Sequence, residues 1–434
     1  MGLFSRKKKN RVCVIGLDGV PYTLLKEMAG KGLIPSMEKL LQSGHLHQMK
    51  ASLPEISAVS WTDFMTGTNP GTHGIFGFTD LWANSYKLRF PNYLSVKEKT
   101  FWDLLAEKGK RCIVINQPST YPAKEIKGGA IVSGFVAIEL AKSVRPLSYL
   151  ASLERMKYMI DIDTMKARQD PDFLLSDLDK ALASSRGALD LFWKEEWDFF
   201  EFVITGTDRI QHYLWNAYGD DANKYHKDFI GYYQKVDAFV GELVASFQKL
   251  TDGEEGLFLL SDHGFTGIEQ EVHLNTWLQQ EGLLAFEIPE ATELKDISAD
   301  SKAFVLDPNR VYLNLKGKFP LGTVDEADKK SLKEEISRRL LALEYNGRKV
   351  VRKVFDIDDI YSGPLTAKGP DLIVLSEYGF DLKGAVGKKK IFDRTELQGM
   401  HTWDDAFFWA KDDHGADLSI SRLAKIIVNR FSEE

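Results

Sequence analysis

Carboxylates and imidazoles stand at the ends of three apolar runs in this 434-residue chain. Val12–Leu17 runs into Asp18-Gly19, Phe199–Ile204 into Thr-Gly-Thr-Asp208, and Leu257–Leu260 into Ser-Asp262-His263-Gly264. His212 follows Asp208 by four positions, which puts both side chains on one face of a helix starting after the run. Carboxylate with imidazole suits Zn²⁺ or Mn²⁺ better than Mg²⁺ or Ca²⁺, which prefer all-oxygen surroundings. A lone Asp-Gly after a strand is ordinarily a turn. Three strand ends that each carry a ligand type are a more informative pattern. His401, in Gln398-Gly-Met-His-Thr-Trp, follows a Gly-containing turn and is placed to complete a second site.

A nucleophile candidate lies between the first two runs. Leu53–Phe78 reads as a loop entering a helix and then a Gly/His turn, with Ser57 near the helix start. There the free N–H groups and the helix dipole favour an anion. Taken alone, the same stretch is also satisfied by Ser57 as a helix cap. His73 is expected to hydrogen-bond the loop carrying Ser57 rather than to bind metal. His45, His47, His226 and His414 lie in polar surroundings and are expected at the surface, and His273 is assigned to loop structure.

These residues need a scaffold that brings strand ends together. The three runs, with Arg111–Ile115 and Asp371–Leu375, are continuous apolar segments of the kind buried in parallel sheets. Tyr22–Ala29, Ser36–Ser43, Phe101–Lys108, Phe173–Trp193 and Tyr225–Leu250 show helical spacing between them. Alternation of strand and helix implies an α/β fold with a doubly wound, mostly parallel sheet, and such sheets bind ligands at the carboxyl ends of their strands. Residues 11–434 read as one such domain, preceded by a basic tail at 1–10. Two segments interrupt it, a largely helical cap insertion at 139–185 and a small α+β insertion at 283–364.

A net charge of −7 gives no electrostatic reason to expect a nucleic-acid partner. No run approaches the roughly 18 apolar residues of a transmembrane span, and the N-terminus lacks a signal-like apolar segment, so a cytoplasmic protein is expected. The basic tail permits at most weak contact with a membrane surface. Cys13 and Cys112 sit inside apolar runs and read as small buried hydrophobes. Nothing in the sequence speaks to oligomeric state.

The pieces VIGLDG, PEISAVSWTDFMTGTNPGTHGIFGF, TGTDRIQHYLW, LLSDHGF and GMHTW, spread from about residue 11 to 410, resemble the alkaline phosphatase superfamily, in particular its type I phosphodiesterase and nucleotide pyrophosphatase branch. The resemblance implies two divalent metal ions, typically zinc with manganese as the alternative. One would be held by Asp208, His212 and His401, the other by Asp18, Asp262 and His263, with Ser57 as shared ligand and nucleophile. It implies hydrolysis of a small-molecule phosphoric ester, foremost a phosphodiester, through a covalent Ser57 intermediate. A phosphomutase or phosphotransferase of the same superfamily, or a metal-stabilised protein binding lipid head groups, are the alternatives.

Two departures from that family pattern stand out. Many relatives use Thr where this chain has Ser57. Nucleotide pyrophosphatases also carry a phosphate-binding amide shortly after the His-Gly-Ile turn, where Phe78 stands here. Thr79 and Asn69 are then the neutral donors expected nearby, and diesters are expected to be preferred over monoesters, with an apolar or aromatic leaving group packing on Phe76 or Phe78.

Overall fold

The computed structural model describes residues 10–432, so the basic tail expected at 1–10 lies, except for Asn10, outside the described residues. Its centre is a nine-stranded sheet. The strands run in the order Leu418–Ser419, His45–Lys50, Ala406–Ala410, Leu257–Leu260, Val12–Leu17, Phe199–Ile204, Cys112–Gln117, Ala130–Ser133 and Val144–Arg145. Val12–Leu17 pairs in parallel with Phe199–Ile204 on one side and Leu257–Leu260 on the other. The three runs that end in Asp18, Asp208 and Asp262 are therefore adjacent, and neighbouring strands lie only about 4.8 Å apart.

Continuous apolar runs suit this place because both faces of the sheet are covered. Cys13, Ile15 and Leu17 point into one core, packed by the helices Tyr22–Gly30, Pro35–Ser43, Pro171–Trp193 and His226–Thr251. Val12 and Val14 point into the other, packed by Ser57–Thr66, Phe101–Glu107 and Ile420–Asn429. Cys13 and Cys112 are buried free thiols, as expected, and burial pushes both thiols up from their ordinary value. Among the described residues no helix is long and apolar enough to cross a membrane.

One expected core strand belongs elsewhere. Arg111–Ile115 does enter the main sheet, as Cys112–Gln117, but the run at Asp371–Leu375 becomes Leu372–Ser376 in a separate four-stranded antiparallel sheet. There it lies between Arg310–Leu313 and Val351–Asp356, with Leu372 and Val374 in a third large core and Ile373 and Leu375 in a small one. An apolar run signals burial on both faces but does not say in which sheet. The same sheet takes its other three strands from within 283–364, together with the helix Lys329–Ala342. Residues 139–185 form short helices at Leu140–Ser143, Leu150–Arg155 and Thr164–Ala167 and the start of Pro171–Trp193, and add an edge strand, Val144–Arg145, to the main sheet.

Glu201 is an anomaly in this core. It sits mid-strand between Val14 and Val114, fully buried, and neither carboxylate oxygen has a hydrogen-bond partner. Burial therefore holds its pKa well above the ordinary 4.5. Because the folded value is raised, the stabilisation from the neutral acid is complete below the unfolded value and is lost as pH rises through the folded one. Glu201→Gln removes this titration. Between pH 5 and pH 9 its stability, read from melting temperature, is expected to gain on wild type by about 1.4 kcal/mol for each pH unit over which the folded acid stays neutral. Parallel melting curves for the two proteins across that range would contradict a neutral buried acid.

Candidate active site

The sheet delivers the carboxylates and local structure aims them. Asp18 and Gly19 make a tight turn in which Gly19 has φ +68° and donates its N–H to Asp262 Oδ1 at 3.0 Å. A Cβ on Gly19 would stand 3.1 Å from His263 Cε1 and 3.3 Å from Asp208 Oδ1, so glycine is required both by the backbone and by the space. Thr207 Oγ1 donates to the Asp18 carbonyl at 2.7 Å and Gln211 Nε2 to the Gly19 carbonyl at 2.9 Å, which locks the turn to the next strand's helix. Asp208 lies in the first turn of the helix Gly206–Tyr218, and the four-residue spacing brings His212 Nε2 to 3.4 Å from Asp208 Oδ1.

His401 arrives by strand pairing rather than by sequence proximity. Gly399–Thr402 pairs antiparallel with Gly264–Gly267, placing His401 opposite Phe265. The His401 ring then stacks on His263 at 3.6 Å between centroids, and its Nε2 lies 3.2 Å from Asp208 Oδ1 and 3.1 Å from His212 Nε2. Phe265 packs against all three imidazoles.

The tautomers follow from the partners. His212 Nδ1 faces the Gly399 carbonyl at 2.9 Å, His263 Nδ1 the Gly264 carbonyl at 3.0 Å, and His401 Nδ1 the Glu55 carbonyl at 3.0 Å. A carbonyl can only accept, so each Nδ1 carries the proton and each Nε2 presents a lone pair. Burial lowers the pKa of His263 and of His401, which keeps those rings neutral. Three lone pairs thus converge on one another and on carboxylates, an arrangement that is repulsive until a cation sits among them.

The carboxylates tell the same story. Burial, with the charges of Asp262 and Asp208, pushes Asp18 well above the usual carboxylate range, and burial brings Asp262 up to about 7. Burial acts on Asp208 too, but its charged and hydrogen-bonding neighbours, Arg209 among them, hold it well below that range. Asp208 Oδ1 and Asp262 Oδ2 are buried without a hydrogen-bond partner. Ligand atoms of Asp18, Asp262 and His263 lie within 4.8 Å of one another, as do those of Asp208, His263 and His401. The donors present therefore fit divalent cations that take mixed nitrogen and oxygen ligands. His263 borders both groups, whereas the family resemblance placed it in one.

Ser57 is the first residue of the helix Ser57–Thr66 and not its cap; Ile56 holds the cap position and the end has no side-chain cap bond. Ser57 Oγ lies 3.1 Å from His263 Nε2 and 3.4 Å from Asp18 Oδ1, so all seven side chains singled out in the sequence meet. His73 is a brace, as expected. It accepts from the Ile75 N–H through Nδ1 and donates through Nε2 to Asp63, on the Ser57 helix, at 2.6 Å. His273 is buried beside Glu271.

Several expectations for the surrounding loop are corrected. Thr79 accepts from Arg310 through its hydroxyl and carbonyl oxygens, and Asn69 caps Pro70–His73 while its amide donates to Ser362. Asp80 pairs with Arg89. Phe76 is buried against Tyr361 and offers no face to a leaving group. Phe78 instead lies beside Ala58, edge-on to Phe135 at 5.5 Å, and Phe135 in turn carries the Arg209 guanidinium 4.2 Å above its ring.

Other residues escaped notice in the sequence. Arg209 donates to Asp208 Oδ2 at 2.7 Å and to Asp161, in the 139–185 insertion, at 2.6 Å. It thereby occupies one oxygen of Asp208 and leaves the other for the cluster. Trp61 Nε1 donates to Asp18 Oδ2 at 3.1 Å. Arg209 and Gln211 stand inside the Thr-Asp-Arg-Ile-Gln-His segment, where adjacency to two ligands was the available signal.

Solved structures share this architecture. Phosphonoacetate hydrolase from Sinorhizobium meliloti 1021, in complex with phosphonoformate, superposes with a TM-score of 0.65 at 13% identity, covering 98% of this chain and 96% of that one. Murine ectonucleotide pyrophosphatase / phosphodiesterase 5, in its inactive form with AMP, gives 0.56 at 10% identity, covering 98% and 95%. At such identities the likeness concerns the fold. No curated protein sequence matches the chain. Residues 12–404 match the type I phosphodiesterase / nucleotide pyrophosphatase family, and the chain accordingly belongs to that family within the alkaline phosphatase superfamily and is a phosphoric ester hydrolase.

Proposed function

We propose that this hydrolase is a two-metal phosphodiesterase acting through a covalent intermediate on Ser57. The observation that carries the reading is the convergence of three imidazole Nε2 lone pairs and the orphaned oxygens of Asp208 and Asp262 beside the Ser57 hydroxyl. Asp208, His212 and His401 would hold one ion, and Asp18, Asp262, His263 and Ser57 the other, with zinc favoured and manganese the alternative on this donor set. Bound there, dications lower the pKa of a ligated hydroxyl and neutralise charge developing on a phosphoryl group.

The chain's own residues do the rest. The helix start at Ser57 sets backbone N–H groups near the anionic phosphoryl. Ser57 Oγ bonds to phosphorus as the P–O bond to one alcohol breaks, and that alcohol departs with a proton. Water then cleaves the Ser57 phosphoryl ester, which restores the hydroxyl and releases a phosphate monoester.

A monoester substrate carries nearly one more negative charge than a diester and needs a further cation or additional donors. Phe78 supplies neither, Thr79 and Asn69 are turned to other partners, and the Arg209 guanidinium is divided between Asp208 and Asp161. These facts support diester over monoester hydrolysis.

Elemental analysis of the purified protein is expected to find close to two transition-metal ions per chain. Ser57→Ala should lose about a thousandfold or more in turnover of bis(4-nitrophenyl) phosphate while keeping most of its metal. Asp208→Ala should lose metal as well as rate. Full activity in chelator, or an active Ser57→Ala protein, would remove the mechanism.

Wild type is also expected to favour bis(4-nitrophenyl) phosphate over the mono-ester in kcat/KM after correction for intrinsic reactivity. Phe78→Asn should shift cleavage toward monoesters and nucleotide esters. A clear monoester preference in wild type would count against the diester assignment.

A further inference from the structure

A cleft of about 100 Å³ opens beside His212 and His401, bordered by Glu55 and Ile56 just before Ser57. Its opposite wall is built by Ser376, Asp381 and Lys383. Lys383 Nζ lies 2.8 Å from Asp381 Oδ2, on the strand Phe380–Lys383. Both side chains are largely buried, at 27% and 11% exposure, so the pair is held by its surroundings rather than waving in solvent. Neither residue belongs to the proposed ligand set.

The position of the cleft says which half of the substrate enters it. Ser57 Oγ sits on the Asp18 and His263 side. In an in-line displacement the leaving oxygen lies opposite the nucleophile, toward the other ligand set. His212 and His401 of that set border the cleft, so the leaving alcohol projects into it and departs there with its proton.

The chemistry of the wall says what kind of alcohol fits. Apart from the two imidazoles, no aromatic side chain is among the lining residues, so a nucleobase finds no stacking face and a quaternary ammonium no cage. A carboxylate is poorly received, because the Lys383 charge is already compensated by Asp381, with Asp307 and Glu271 acting on it as well. A neighbouring carboxylate and ammonium suit a neutral vicinal diol, whose hydroxyls can donate to Asp381 and accept from Lys383. Resting on the phosphodiesterase reading above, we propose that the Lys383–Asp381 pair selects phosphodiesters whose leaving alcohol is a polyol, of which glycerol is the smallest example.

The test uses the metal-loaded full chain with methyl glyceryl phosphate and methyl propyl phosphate, products being followed by phosphorus NMR. Methyl phosphate marks departure of glycerol or propanol, and glycerol phosphate marks departure of methanol. Wild type is expected to release glycerol with a kcat/KM about tenfold above that for propanol. Lys383→Met and Asp381→Asn should each bring that ratio to within about twofold of unity, read as a ratio on the same preparation with its melting temperature recorded. Equal release of glycerol and propanol by wild type, departure of methanol in place of glycerol, or a ratio unchanged in both folded variants would overturn the assignment. Turnover of bis(4-nitrophenyl) phosphate in the same preparation separates the two failures. If wild type turns it over without a polyol preference, only this inference falls, whereas no turnover at all removes the phosphodiesterase reading and this assignment with it.

Discussion

Negative charge and lone pairs concentrated in one buried place are the constraint on which the rest of this structure depends. Asp18, Asp208 and Asp262 leave three adjacent strands at the same end, and His212, His263 and His401 turn their Nε2 atoms toward them. Left alone, such groups would repel one another, and buried carboxylates without partners are costly. The protein holds them nonetheless, because each imidazole is tied through Nδ1 to a backbone carbonyl and each carboxylate is braced from outside the cluster. Gly19 braces Asp262, Trp61 braces Asp18, and Arg209 braces Asp208. The free energy for this arrangement comes from the two apolar cores that clamp the sheet.

The added segments act on that centre from different sides. The insertion at 139–185 reaches it through Asp161, which shares the Arg209 guanidinium with Asp208. The four-stranded sheet and its neighbouring strands build the cleft wall opposite His401. The Ser57 helix is held by His73 and Ser52, both hydrogen-bonded to Asp63. Position at the site is thus set by backbone carbonyls and by residues one step removed from it, which is how a rigid scaffold supports a reactive hydroxyl.

Much of this is legible in the chain itself. Continuous apolar runs ending in Asp18, Asp208 and Asp262 announced parallel strands with ligands at their carboxyl ends, and the four-residue step from Asp208 to His212 announced a shared helix face. Asp371–Leu375 showed the limit of the same signal, since its burial on both faces is satisfied in the smaller antiparallel sheet. Phe76, Thr79 and Asn69 showed another. Their chemistry suited the site, but whether a side chain faces it depends on partners such as Tyr361, Arg310 and Ser362, which are distant in the chain.

Which elements form and which residue types end them is a local property of the chain, because hydrophobic period, strand-end carboxylates and helix spacing act over a few residues. The rest is set by packing between distant segments. That His401 stacks on His263 depends on a strand pairing across more than a hundred residues, and that each Nε2 is the free nitrogen depends on carbonyls supplied by Gly399, Gly264 and Glu55. The role of Arg209 as brace depends on Asp161 coming within 2.6 Å of it, and the Lys383–Asp381 wall depends on where a separate sheet docks. Such contacts are long-range in the chain and are specified by how the packed layers meet.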